Sequence, residues 1–462
     1  MQMPNPSLKE VLRLEAANPR AAGLALLFAV LIVWQLPHVL FLRYTLVIML
    51  GALCWGTAVR ALRGKPPFER WDRSFRMPFL AYVAFLAWLL VVAVLVGDQP
   101  LASLSELRAE WLPTTLVLLL GFGAAIRLAG APGSGNAAVK VAFWGLVAHA
   151  VLQLAVAAVT FFTAGAFPVL NFGGISDHKS NVTYTNTLAL AFLLADVASA
   201  PSRDGSYVGL GRKGQLAVFA LLLASTIVSA TRNGLIVFLL LTLVGGWLIA
   251  RRYRHASPRW WGMFGACVAF TAAAAAIGLK ADARWSGFLA TVPVAWDTEH
   301  HRAWLEGERN ETNLPPTAAG KPVEPSAYYR VAYLKEGTEL LLEHPWGTEI
   351  GRDTFNKLIH AKYGTAGMSH AHNGLLDLGL SAGIPAMILW LGVLGAFAAT
   401  GLRTWRSRQD PLGLALFLCV LGFAARMLLD STLRDHVIEE FALVAGLLAG
   451  AVALDASARK RG

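Results

Sequence analysis

The stretch Gly367-Met-Ser-His-Ala-His-Asn-Gly-Leu-Leu-Asp-Leu-Gly-Leu-Ser-Ala-Gly383 sets two histidines, an amide and a carboxylate directly before the apolar run 384–400. Ionisable groups are costly at membrane depth and chemically useful at its edge. The spacing predicts that Ser369 caps a helix and that His370, Ala371 and His372 form its first turn. Free backbone N–H groups and the helix dipole there favour the neutral imidazole, the form a general base needs. At 100° per residue, His372, Gly379 and Gly383 share one face and His370, Asn373 and Asp377 another, so only one imidazole is expected to face a given cavity. The competing reading is two interfacial histidines satisfied by water or capping.

Two arginines add to this. Arg232, in Ser229-Ala-Thr-Arg-Asn-Gly234, interrupts a long apolar stretch, and a cation there is expensive unless it sits at an interface or faces an anion. Its plain alternative is a polar turn between two spans. Arg330 follows Tyr328-Tyr329 at the start of an amphipathic helix, where a solvated face is the ordinary reading. A planar guanidinium grips phosphate bidentately, so two such arginines near one basic imidazole suit a lipid-linked phosphate donor. Asp177-His178-Lys179 and Arg434-Asp435-His436 are weaker clusters in loops. Gly121-Phe-Gly123 carries no phosphate-loop lysine, so nucleotide binding has no support.

The elements that must hold these residues are membrane spans. With 462 residues, 56% hydrophobic content and mean hydropathy +0.52, the chain reads as an all-α integral membrane protein. The net charge of +11 lies in short clusters between apolar runs, which reads as topology signals and not as a nucleic-acid surface. Cys54, Cys267 and Cys419 lie inside apolar runs without partner spacing, so neither a disulfide framework nor a metal site is expected. The N-terminal region, with Lys9, Arg13 and Arg20, lacks a cleavage site and reads as leading into a retained signal anchor.

About twelve transmembrane helices are expected, at roughly 21–37, 41–59, 78–97, 112–129, 141–165, 184–200, 215–231, 233–250, 260–279, 375–401, 412–429 and 437–454. Placing the N-terminus in the cytoplasm puts most of the 40 Lys and Arg inside, both termini inside, and one large periplasmic segment between helices 9 and 10. The expected units are therefore residues 1–279, the periplasmic 280–374 and 375–462. Within 280–374, Pro315-Pro316, Pro322 and Pro325 preclude a long helix. Beyond them Val331, Leu334, Leu341 and Leu342 mark an amphipathic helix ending at His344-Pro345.

Three elements together resemble the O-antigen ligase and polymerase superfamily of bacterial inner-membrane glycosyltransferases. They are the arginine turn Ser229–Gly234, the Arg330 helix running into Glu343-His-Pro-Trp-Gly-Thr-Glu-Ile-Gly351, and His372-Asn373 before a Leu/Gly-rich span with Gly379 and Gly383. The resemblance covers about residues 215–400. It implies transfer at the periplasmic face of the inner membrane from an undecaprenyl-pyrophosphate-linked O-antigen donor to a lipid A-core acceptor, with membrane lipids around it and no metal, nucleotide or other cofactor. It implies His372 as the general base, with His370 second because the doubled histidine departs from the family pattern. Arg232 and Arg330 match the family arginines and, with Asn373 and Asp377, are the expected substrate-binding residues. An O-antigen polymerase or a pilin-type O-oligosaccharyltransferase is the alternative; a lipid-linked glycan transporter is remote, since no inverted repeat is visible.

Overall fold

The computed structural model describes residues 19–63, 73–130, 136–165, 174–176, 178–199, 206–253, 259–281, 287–307 and 313–459. The expectations on Lys9, Arg13, Lys65, Arg70, Asp177, Arg203, Arg254, Lys460 and Arg461 lie outside these residues. Among the described residues there are fifteen α-helices and no strand. They are α1 (Pro19–Val33), α2 (Leu40–Leu62), α3 (Arg73–Leu95), α4 (Pro100–Arg127), α5 (Ala137–Ala164), α6 (Lys179–Ser199), α7 (Arg212–Val228), α8 (Arg232–Tyr253), α9 (Arg259–Ala281), α10 (Phe288–Trp296), α11 (Pro325–Glu343), α12 (Thr354–Tyr363), α13 (Gly374–Arg408), α14 (Pro411–Leu429) and α15 (Asp435–Arg459). Nine of them, α2 to α6, α8 and α13 to α15, are long and apolar enough to cross a membrane. Shorter apolar stretches occupy α1 and α9.

Between helices surrounded by lipid, apolar burial gives little drive, so small residues and polar side chains make the joints. Both devices appear. Gly121 and Gly446 let α4 and α15 touch backbone to backbone, since a Cβ on either would overlap a carbonyl of the other helix. α6, buried almost throughout, is the polar axis of the bundle. Its Asn186 donates to Ser225 and Thr226 of α7 at 3.0 and 3.2 Å, and its Thr185 donates to Glu440 of α15 at 3.2 Å. The polar run Lys179-Ser-Asn-Val-Thr-Tyr-Thr-Asn-Thr187 is thus a set of interhelical rungs.

Residues 287–307 and 313–374 build a second, smaller core on α11. Glu324 caps α11 and Pro325, expected as a helix breaker, instead opens it at the first position, while His344 ends it ahead of Pro345, as the sequence predicts. Tyr328, Tyr329 and Tyr333 are fully buried among Trp304, Phe355 and Leu376. Pro316 and Pro322 pair in an isolated bridge within the irregular half.

The tenth expected span is not one continuous helix. α13 breaks at Gly383 (φ 82°, ψ 171°), a conformation open essentially to glycine alone. The turn His344–Gly351 fills the break: Ile384 N donates to Pro345 O at 2.8 Å, Thr348 N to Ser381 O at 3.2 Å, and Trp88 of α3 to Ala382 O at 2.9 Å. Backbone groups freed at the break are thereby satisfied by protein. The glycines of this motif are spacers, because a Cβ on Gly383 would lie 2.4 Å from Trp346 C, and one on Gly347 2.5 Å from Ser381 O. Gly383→Ala is expected to cost about 3 kcal/mol or more; a detergent-solubilised variant melting like the wild type would remove this account.

Candidate functional site

The residues singled out for chemistry converge at one end of the bundle. The loop before α13 and the start of α8 meet there with α11 and the junction between α14 and α15. They surround a cavity of about 820 Å³ lined by Arg232, Arg330, His370, His372 and Asn373. Lys179, Arg426 and Arg434 bring further positive charge, and Asp430 is the one carboxylate among its described lining residues. Ile236, Val331, Leu334 and Leu428 supply an apolar side. Such a pocket attracts anions that carry an apolar tail.

The histidine loop differs from the expected helix turn. Asn373, not Ser369, is the N-cap: its backbone is extended (φ −144°) and its Oδ1 accepts from Leu376 N at 3.1 Å. Ser369 instead shares a 2.7 Å hydrogen bond with His370 Nδ1. The two histidines therefore lie outside the helix, and the argument that they face different ways does not hold. Their rings sit 4.3 Å apart, and both line the cavity. His372 takes a left-handed backbone (φ 52°), unusual for a non-glycine, with its ring parallel to Tyr333 at 6.0 Å. Gly379 and Gly383, placed on one face with His372 by helical spacing, leave no room beside it, because Gly379 packs against Leu341 and Met387 and Gly383 against Trp346.

Asp377 is the predicted site residue that does not line this cavity. Its Oδ1 accepts from Ala371 N at 2.8 Å and its Oδ2 from Ser431 Oγ at 2.5 Å. It ties the histidine loop to the segment after α14.

The arginines are positioned by acceptors far away in sequence. Arg232 Nη2 donates to Glu324 Oε1 at 2.7 Å, and Glu324 Oε2 accepts from Ala327 N at 2.6 Å, so one carboxylate holds the arginine and caps α11. The C-terminal carbonyls of α14 form a second hub. Leu429 O accepts from Arg330 Nη1 at 3.2 Å and Asn233 Nδ2 at 2.9 Å, and Leu428 O from Asn373 Nδ2 at 3.2 Å. Orphan carbonyls at a helix end favour such donors.

Sequence reasoning missed Arg426. It is 1% exposed on α14 and donates from Nη2 to Ser180 O at 3.0 Å. Its signal was a lone cation inside the apolar run 412–429. The weaker clusters also join the site through His178, Lys179, Arg434 and His436, with His436 Nε2 at 3.0 Å from Asn181 Nδ2.

Fold and site together define an integral membrane protein of the helical class, with a basic, histidine-bearing cavity at one end of the bundle. Residues 217–391 match the family model described as O-Antigen ligase, so this part of the chain is similar to that family, which supports a function of the ligase or polymerase type. A comparison with curated proteins found no match. The matched segment contains Arg232, Arg330 and both histidines, in agreement with the resemblance drawn from their motifs.

Proposed function

We propose that the protein is an O-antigen ligase of the bacterial inner membrane, working at the periplasmic face. It transfers glycan from an undecaprenyl-pyrophosphate donor to the lipid A-core oligosaccharide. The observation that carries this reading is the cavity itself, which gathers an imidazole pair, several cations and an apolar side; the imidazole pair, Arg232 and Arg330 fall within the family-matched region. In the chemistry proposed, His372 takes the proton of an acceptor hydroxyl as its oxygen attacks the anomeric carbon. The bond from that carbon to the pyrophosphate oxygen breaks, and the charge grows on the departing lipid pyrophosphate. Arginines in the cavity meet that charge, a contribution greatest in the transition state. Single displacement of this kind inverts the anomeric centre and calls on no metal.

Both termini are read as cytoplasmic. This reading takes α1, α7 and α9 as spans beside the nine long apolar helices, and the segment 280–374 as the periplasmic unit. Support comes from Arg251, Arg252, Arg403, Arg406 and Arg408, which lie at the far ends of α8 and α13 from the cavity.

Deletion of the gene followed by lipopolysaccharide gels tests the reaction. Loss of all long chains with accumulation of lipid-linked glycan is the expected outcome, whereas a single repeat on the core would identify a polymerase. Asp377 enters as a positioning residue. Asp377→Asn keeps its shape but accepts at one atom only, so transfer should slow about tenfold while the melting temperature changes little. Unchanged turnover would remove its role in placing the loop.

A further inference from the structure

At the end of the bundle remote from the cavity, α8 closes on Trp247-Leu-Ile-Ala-Arg-Arg-Tyr253 and α13 on Arg403-Thr-Trp-Arg-Ser-Arg408. The Arg252 guanidinium lies over the Trp405 ring, 5.6 Å from its centroid, and so joins the two helix ends. Their chain neighbours Arg251 and Arg406 flank this joint. Arg251 in turn lies over Trp247, 5.2 Å from the centroid and one turn back on α8. Tyr253 packs with Trp260 of α9, ring centroids 5.3 Å apart, and Trp261 beside it is exposed. Tryptophan and tyrosine gather at the depth of lipid headgroups, so this girdle sets the arginines at that depth.

The outward-facing stripes of both helices run into these cations. Ile236, Leu243 and Trp247 are exposed on one face of α8 (i, i+7, i+11), and Arg251 continues that face one turn further. On α13, Ile388 is exposed and Arg406 repeats its direction (i, i+18). Arg251, Arg403 and Arg406 are all exposed. The carboxylates on the adjoining segments are buried: Asp410 caps α14, and Asp196 accepts from Ser206, Val208 and Gln215. Positive charge therefore dominates the surface here, directly above apolar tracks.

We infer that the ends of α8 and α13 form a binding site for an anionic phospholipid. Its headgroup phosphate lies among Arg251, Arg403 and Arg406, and its acyl chains follow the apolar stripes towards the bilayer centre. A guanidinium fork grips phosphate oxygens, and a headgroup without its own ammonium leaves that attraction uncancelled. Stacking on Trp247 fixes the Arg251 guanidinium before the lipid arrives. The site holds whichever reaction the cavity performs. In the topology proposed above the lipid belongs to the cytoplasmic leaflet, and it seats the end of α13 opposite the histidine loop.

The test reconstitutes the full-length protein in nanodiscs of phosphatidylcholine alone or mixed with phosphatidylglycerol or cardiolipin. Lipid retained on the protein is read by native mass spectrometry, with the melting temperature alongside. The anionic lipids should be retained in preference to phosphatidylcholine and should raise the melting temperature, both less so at high salt. The double variant Arg251→Gln/Arg406→Gln should weaken that retention about tenfold or more. The control Arg60→Gln/Arg63→Gln, which removes two exposed cations at the end of α2, should retain lipid as the wild type does. Arg251→Lys/Arg406→Lys keeps the charge without the fork and should lie between; if the glutamine pair does not fold, the lysine pair decides. Equal retention of phosphatidylcholine, an equal loss in the α2 control, or full retention in the folded variants would each overturn the site. So would an arginine-dependent dimer in place of retained lipid.

Discussion

Replacing His372 by alanine is expected to lower glycan transfer by about a hundredfold or more, with donor binding and melting temperature little changed. The acceptor hydroxyl is a poor nucleophile until its proton is removed during attack, and His372 is the imidazole of the pair whose ring lies parallel to the buried Tyr333. Its left-handed backbone (φ 52°) is costly for a histidine, by about 1–3 kcal/mol, and persists only where the surroundings over-determine it. The surroundings here are Asp377 gripping Ala371 N, Asn373 capping α13, and Tyr333 parallel to the ring. His370, anchored through Ser369, belongs to the same pair and should matter less; His370→Ala is expected to retain most of the rate. Purified protein, defined lipid-linked donor and acceptor, and a gel or mass readout of product supply the measurement. Wild-type turnover in His372→Ala would end the base assignment, and a larger loss in His370→Ala would exchange the two roles.

The second large effect is expected at Glu324, which carries no chemistry. This carboxylate is buried, pairs with Arg232 at 2.7 Å, and accepts from Ala327 N in the first turn of α11, while its own N–H donates to Thr291 at 2.9 Å. Glu324→Ala uncaps a helix and strands a largely buried cation at once. Together these should destabilise the protein by about 3–5 kcal/mol and displace Arg330, one turn along α11, so activity should fall with stability. The double variant Arg232→Met/Glu324→Leu removes both charges and should recover much of the lost stability. Unfolding of the four proteins of this cycle in detergent measures the coupling, and additivity of the two single changes would show that the pair does not act as a unit.

The sites of these two predictions differ in how far they could be read from the chain. The His370/His372 stretch, the arginine turn at 232 and the helix carrying Arg330 stand out locally, because each breaks an apolar or amphipathic pattern within a few residues. The partner of Arg232 does not, since Glu324 lies far along the chain in a segment otherwise marked only by its prolines. Arg426 was hidden for the converse reason: one cation within 412–429 leaves a span as hydrophobic as its neighbours, and hydropathy averages it away.

By itself the sequence determined that the chain is helical with long apolar stretches, where α11 ends, and which motif residues resemble one family. All of these follow from hydropathy, period and caps, which act between near neighbours. Only the tertiary structure decided that Asn373 caps α13 in place of Ser369, that both histidines face one cavity, that Asp377 holds their loop from outside it, and that the His344–Gly351 turn fills a break at Gly383. Each is a contest between hydrogen-bond partners or a close backbone approach, and its outcome depends on what packing brings within 3 Å. At the cavity end of this bundle the deciding groups, the carbonyls of Leu428 and Leu429 and the carboxylate of Glu324, come from segments distant in the chain, while Asp377 joins the nearby Ala371 to the distant Ser431.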